Sequence, residues 1–264
     1  MNLMVFPQLR YVSYIWRLCA TAVSFSVFSA GGLVLSAFVF PPLLLMRDKK
    51  YRAMPARWVV HKSFAAFVWM MEHLGIMRFT VENRQGLTQC EDALVLANHP
   101  TLIDVVALIA LMPNATCVVK RALWRSPFMG GVVRAANYIS NDTPDRLIDD
   151  CAQELSAGNP LIIFPEGTRT RPGQPLRFLR GASYIALHSG KPIVPVLIRC
   201  MPSTLTKCKK WYQIPPRRFE LCVKILPPMH ADQWTDSSEP PTLAARRLTH
   251  GLETFFTQEL EKHG

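Results

Sequence analysis

The sequence predicts an α/β fold, with a mostly parallel or mixed central sheet flanked by helices and preceded by an N-terminal membrane-embedded helical segment. Three observations predict it. From residue 78 onward, short β-branched apolar runs alternate with helix-length patterns. Before that lies a long stretch without charge, Leu18 to Met46. A chain of 264 residues, 49% of them hydrophobic, has enough apolar material for one sizeable core.

The uncharged stretch exceeds the ~20 residues that cross a bilayer as a helix. Gly31-Gly32 and Pro41-Pro42 interrupt it, so a bent span and a re-entrant helical hairpin both fit. Arg10 and Arg17 precede it, and Arg47, Lys49, Lys50, Arg52, Arg57 and Lys62 follow, which by the positive-inside tendency leaves the rest of the chain in the cytoplasm. A cleaved signal peptide ending near Ala30 is a weaker reading, because the apolar run continues well past it. Residues 57–77 continue as an aromatic-rich helix suited either to a lipid interface or to a core. The expected division is therefore 1–77 as membrane anchor and interfacial helix, and 78–264 as the α/β domain. The expected location is a membrane, a bacterial inner membrane with the domain facing the cytoplasm.

Within the domain, strands are expected at 78–82, 93–97, 115–119, 160–164, 193–199 and 219–225. Helices are expected at 101–112, 127–136, 144–157, 178–189 and 241–261. Thr143 reads as an N-cap, Pro144 as the first helical residue and Gly158 as the stop. Residues 226–240 form a polar, proline-containing connection to the last helix.

The net charge of +11, from 30 Lys and Arg against 19 Asp and Glu, suits an acidic partner. Anionic lipid headgroups, a phosphorylated substrate and an acidic carrier protein all qualify. No zinc-finger spacing or RNP-like aromatic box supports nucleic acid. The seven cysteines are scattered, odd in number and without a C-x-x-C, which points to a reducing compartment and away from disulfides or structural zinc.

Two constellations carry chemistry. Leu94-Val95-Leu96 reads as a strand that stops at Asn98-His99-Pro100, where a helix begins; ligands bind at such strand ends in open α/β sheets. Asp104 lies in the first part of that helix, and helical side chains lean toward the N-terminus. Its carboxylate can hold one imidazole nitrogen of His99 and leave the other free as a general base. The plainer alternative is that His99 caps the helix and Asp104 favours its positive end. The second constellation is the apolar strand Leu161–Phe164 followed by Pro165-Glu166-Gly167-Thr168-Arg169-Thr170. Gly167 lets backbone approach a ligand, Thr168 and Thr170 offer hydroxyls, and Arg169 offers a planar fork for phosphate. Neither a G-x-S-x-G elbow nor a metal-binding motif is present.

Asn98-His99-(four residues)-Asp104 followed by Phe164-Pro165-Glu166-Gly167-Thr168-Arg169 resembles the first and third motifs of the glycerolipid and lysophospholipid acyltransferases, typified by the 1-acylglycerol-3-phosphate O-acyltransferases. Val118-Val119-Lys120-Arg121 with the stretch after it resembles the second block, and Ile193-Val194-Pro195-Val196 the fourth. The resemblance implies transfer of a fatty acyl group from acyl-CoA or acyl carrier protein to a lyso-lipid hydroxyl at a bilayer. It implies His99 as base with Asp104 behind it, Lys120 and Arg169 gripping an anionic headgroup, and Glu166, Gly167 and Thr168 shaping the pocket, with no metal or cofactor. One departure stands out. Where members acting on acylglycerol phosphate carry Ile-x-Arg, this chain reads Tyr138-Ile139-Ser140-Asn141, which opens the alternative of another acceptor, such as an ornithine lipid, a lysophospholipid or a specialised lipid. A non-catalytic membrane adaptor is a further alternative, as is hydrolysis of the thioester by water.

Overall fold

The computed structural model describes residues 7–88, 92–142, 144–236 and 238–262. The chain opens with α1 (Pro7–Val34), a π-helical turn (Leu35–Val39) and α2 (Phe40–Leu44). The widened turn falls where Pro41 and Pro42 remove two donors from the helical ladder. The backbone does not break at Gly31-Gly32. Gly32 instead permits close approach, since a Cβ there would lie 2.7 Å from the Phe128 carbonyl oxygen.

Helix α3 (Lys49–His73) then returns antiparallel to α1. The Trp16 indole donates to the Leu74 carbonyl at 2.9 Å, and the Phe28 ring packs on Phe64 and Phe67. Val60, Phe64, Val68 and Met71 form a buried stripe at helical spacing, while Trp58 and Trp69 on other faces are exposed. The core reading thus describes one side of this helix, and the opposite side is exposed.

The domain continues through β1 (Met77–Glu82), α4 (Gln85–Thr88), β2 (Leu94–Ala97), α5 (Asp104–Leu111), β3 (Thr116–Val119), α6 (Arg121–Trp124), α7 (Gly130–Ala135), β4 (Ile139–Ser140) and α8 (Pro144–Ser156). It ends with β5 (Leu161–Ile163), α9 (Gly181–Ser189), β6 (Ile193–Met201), β7 (Phe219–Ile225), a 3-10 turn (Ala231–Gln233) and α10 (Pro241–Lys262). The six expected strands are present. The two-residue β4 and the one-turn helices α4 and α6 are too short to leave a periodic signal. Helix α5 starts at Asp104, three residues later than expected, because residues 100–103 form a turn. Gly158 follows α8 with φ +80°, as a stop residue should; the N-cap expected at Thr143 lies outside the described residues.

The seven strands lie in the order β1-β7-β6-β2-β5-β3-β4, parallel throughout except for the antiparallel β6/β7 pair. Both faces are covered. Val95, Ala97, Ile162 and Val196 pack with α3, α5 and α7 on one face, while Leu94, Leu96, Leu161 and Ile163 pack with α8, α9 and α10 on the other. Burial on both sides is why these strands read as unbroken apolar runs.

One buried charge ties α3 to the domain. Arg57, only 2% exposed, donates to Glu154 Oε2 at 2.9 Å and to the Ala136 carbonyl at 2.9 Å. Asn137 and Asn159 donate to the same carboxylate. Removing one partner of such a pair leaves the other buried and uncompensated. Arg57→Ala should therefore destabilise the protein by about 3–5 kcal/mol in denaturant unfolding, and the double change Arg57→Met, Glu154→Leu should recover part of that loss.

A carboxylate-held histidine at the carboxyl ends of the strands

Strand register brings the two constellations together. Strand β2 pairs in parallel with β5 through Leu94↔Leu161 and Leu96↔Ile163. Carried past the strand ends, the same register sets His99 opposite Glu166. There the His99 backbone N–H donates to Glu166 Oε1 at 2.7 Å, and the Thr170 N–H donates to the His99 carbonyl at 3.0 Å. On the other flank, Asn98 Nδ2 donates to the Ile198 carbonyl at 2.9 Å and the Ile198 N–H donates to Asn98 Oδ1 at 2.7 Å. The side-chain amide substitutes for one more peptide of the β2/β6 ladder. The His99 backbone is thereby pinned from both neighbouring strands.

His99 Nδ1 lies 2.8 Å from Asp104 Oδ2. Asp104 is completely buried, and it also accepts the Thr101 N–H at 2.7 Å and the Thr101 hydroxyl. Burial pushes the Asp104 carboxyl above its usual range, while the bonds from His99 and Thr101 pull the other way. Three donors and no acceptor around it suit the ionised, acceptor-only form. With Nδ1 as the donor to Asp104, Nε2 is left as the acceptor nitrogen. It has no protein hydrogen-bond partner among the described residues, and the side chain is 17% exposed. The Phe164 ring lies against the imidazole, centroids 4.3 Å apart and planes tilted by 31°, which restricts its rotation.

Thr101 is the residue that the sequence reading missed. Its N–H and hydroxyl both donate to Asp104, which closes a turn just before α5, whose own cap residue, Ile103, makes no side-chain capping bond. One carboxylate thus holds both the turn before α5 and the His99 imidazole.

The remaining predicted residues surround this pair unequally. Glu166 is 7% exposed and receives the Thr170 hydroxyl as well as the His99 N–H. Burial, followed by repulsion from Asp104, pushes its carboxyl up to about 7 against the bonds it accepts. Gly167 has φ +66°, a conformation that favours glycine, and the exposed Leu179 side chain lies over it. Thr168 and Arg169 follow in the same turn, half-buried. Arg169 is anchored where no sequence signal indicated: its Nη1 donates to the Leu205 carbonyl at 2.9 Å and to the Thr206 carbonyl at 3.3 Å. Leu205 is buried with φ 51°, and its carbonyl also accepts the Leu102 N–H at 3.1 Å. Lys120 is exposed at the carboxyl end of β3, one strand beyond β5 on the same edge. It lies on the rim and makes no side-chain hydrogen bond to the His99–Asp104 pair among the described residues.

The class so defined is a doubly covered α/β protein whose candidate centre is an imidazole braced by a buried carboxylate at the carboxyl edge of a mostly parallel sheet. Comparison with known proteins agrees. Residues 78–199 match the family model described as Acyltransferase. A 1-acyl-sn-glycerol-3-phosphate acyltransferase of Limnanthes douglasii is 32% identical over 54% of this chain and 52% of its own. The human 1-acyl-sn-glycerol-3-phosphate acyltransferase alpha is 24% identical over 88% of this chain and 80% of its own. The chain spans about half the length of several curated relatives it matches. The crystal structure of the 1-acyl-sn-glycerophosphate (LPA) acyltransferase PlsC from Thermotoga maritima shares the fold, with a TM-score of 0.66 at 22% identity over 91% of this chain and 97% of that one.

The Glu166 carboxyl has a stability consequence. Its folded-state value of about 7 lies above the unexceptional 4.5 of the unfolded chain. The native protein therefore keeps a proton that the unfolded chain releases, so the contribution is fully present below about 4.5 and is lost as pH rises through about 7. Unfolding free energy should fall across that window by roughly 2–3 kcal/mol relative to Glu166→Gln, which cannot titrate. Denaturant titrations of both proteins at a series of pH values measure the difference.

Proposed function

We propose that this protein is a membrane-bound O-acyltransferase that moves a fatty acyl group from a thioester, on coenzyme A or acyl carrier protein, to the hydroxyl of lysophosphatidate. The observation that carries this reading is the 2.8 Å contact between His99 Nδ1 and buried Asp104, which leaves Nε2 available to a substrate. Nε2 takes the proton of the acceptor hydroxyl as its oxygen attacks the thioester carbonyl. An ester C–O bond forms, the C–S bond breaks, and the imidazolium returns its proton to the departing thiolate. Asp104 stays ionised and stabilises the imidazolium, the part played by the carboxylate in a serine-hydrolase triad, with the substrate alcohol in place of serine.

Arg169 and Lys120 supply positive charge for the acceptor's phosphate on the carboxyl rim. Two of the hydrogen bonds available to Arg169 go to backbone carbonyls, which fixes its guanidinium and leaves its other donors for a ligand. Glu166, Gly167 and Thr168 shape the turn beside the imidazole. Residues 1–77 seat the domain of residues 78–264 on the cytoplasmic face of a membrane. Supporting this, the apolar stretch Tyr11–Leu44 is long enough to cross a bilayer, and its helix turns Val12, Trp16, Val23 and Val27 outward.

A second acceptor is favoured by one feature. In the Ile-x-Arg register begun by Ile139, Asn141 stands where the arginine would; it follows Ser140 at the end of β4, and its N–H donates to the Val119 carbonyl at 3.1 Å beside Lys120 on the same rim. A different lyso-lipid headgroup fits that rim with one less cation.

The test is acyl transfer by the purified chain from both donors to lysophosphatidate and other lyso-lipids. His99→Ala should lower the rate on the order of 10²-fold or more, the usual contribution of a general base. Undiminished transfer by His99→Ala, or free fatty acid as the sole product, would rule the reading out.

A further inference from the structure

The segment between β6 and β7 left no secondary-structure signal in the sequence, yet it joins the membrane helix to the candidate site. Residues 202–218 contain Lys207, Lys209, Lys210, Arg217 and Arg218 and no carboxylate. Part of this cationic charge already has protein neighbours: Lys209 Nζ donates to the Ser203 carbonyl at 3.1 Å, and Arg218 lies 3.9 Å from Glu72. All five side chains are exposed. Between the lysines and the arginines, Trp211 and Tyr212 are 43% and 45% exposed, with their rings edge to face at 5.6 Å.

This segment is seated on α1. The Arg17 guanidinium donates to the Pro216 carbonyl at 2.7 Å, and the Trp211 ring lies 5.9 Å from that of Phe25. The face that α1 turns inward carries polar residues, with Arg17, Thr21 and Ser24 buried beside Ala20 and with Phe25 and Phe28 partly buried, while Val12, Trp16, Val23 and Val27 point out. Lipid rather than protein suits the outward apolar face of such a helix. A row of cations with exposed aromatic rings alongside it has the composition of a bilayer's headgroup level.

We infer that Lys207–Tyr212 is a second bilayer contact, which binds anionic headgroups through Lys207, Lys209 and Lys210 and inserts Trp211 and Tyr212 at the interface beside α1. An acidic protein would also be drawn to the lysines, but it would give no reason for two aromatic rings continuous with a lipid-facing helix. The inner end of the same segment holds Arg169 and the Leu102 N–H through the Leu205 carbonyl, so the contact sets the height of the candidate site above the membrane. The inference rests on the membrane siting proposed above. It needs no turnover to be tested, so its failure is distinguishable from failure of the acyltransferase reading.

The experiment measures partitioning of the purified full-length chain onto phosphatidylcholine vesicles with and without phosphatidylglycerol. Replacing Lys207, Lys209 and Lys210 together by Gln should weaken partitioning to the anionic vesicles on the order of 10²-fold at low salt, at about 1 kcal/mol per lysine. It should leave partitioning to neutral vesicles unchanged, and the three Lys→Arg replacements should retain wild-type binding. Trp211→Ala with Tyr212→Ala should weaken binding to both vesicle types. Equal partitioning of the Gln variant and wild type on anionic vesicles would overturn the inference. So would loss of binding to an acidic carrier protein with vesicle binding intact.

Discussion

A single carboxylate with no exposure to water organises this molecule's candidate centre. Asp104 begins helix α5, closes the turn of residues 100–103 by accepting from Thr101, and holds one nitrogen of His99. Burying a charge is costly unless donors surround it, and here the donors are the very groups whose positions matter. Without the carboxylate, the imidazole would lose its preferred tautomer and the turn would lose its reason to form. Structural and chemical roles therefore coincide in one side chain, which explains why a helix-cap reading and a catalytic reading of the same residues were both reasonable.

The sheet supplies the second constraint. Parallel pairing of β2 with both β5 and β6 means that whatever follows each strand emerges on one edge. His99 after β2 and Glu166 after β5 come from distant parts of the chain yet meet within hydrogen-bond distance, and the Leu205 carbonyl after β6 accepts from Arg169 and Leu102 beside them. The register, fixed by apolar side chains buried on both faces, sets the relative height of groups that would otherwise have to be positioned by flexible loops. Positive φ at Gly167 and Leu205 marks the two places where the connecting backbone turns sharply beside the site.

Much of this was legible in the residues. Strands β2, β5 and β6 announce themselves as apolar runs because both of their faces are covered, the prolines Pro100 and Pro165 mark the turns beyond β2 and β5, and Gly158 marks the end of α8. The His99–Asp104 and Glu166–Arg169 motifs identify the edge. What was not legible depends on contacts between distant segments. The anchoring of Arg169 by residues 205 and 206, the Asn98 bridge to Ile198, and the seat of residues 202–218 on α1 leave no periodic trace. Arg57, counted by sequence among the charges flanking a membrane segment, lies instead in the core against Glu154. Short elements such as β4 and α6 fall below the length at which periodicity speaks.

The most direct test of the account concerns the proton on His99. In a sample carrying 15N-labelled histidine, the nitrogen shifts of neutral His99 report which ring nitrogen is protonated. A hydrogen on Nδ1, with Nε2 bare, and loss of that preference in Asp104→Asn are the results the account predicts. A neutral His99 protonated on Nε2, or one indifferent to the Asp104 substitution, would contradict it.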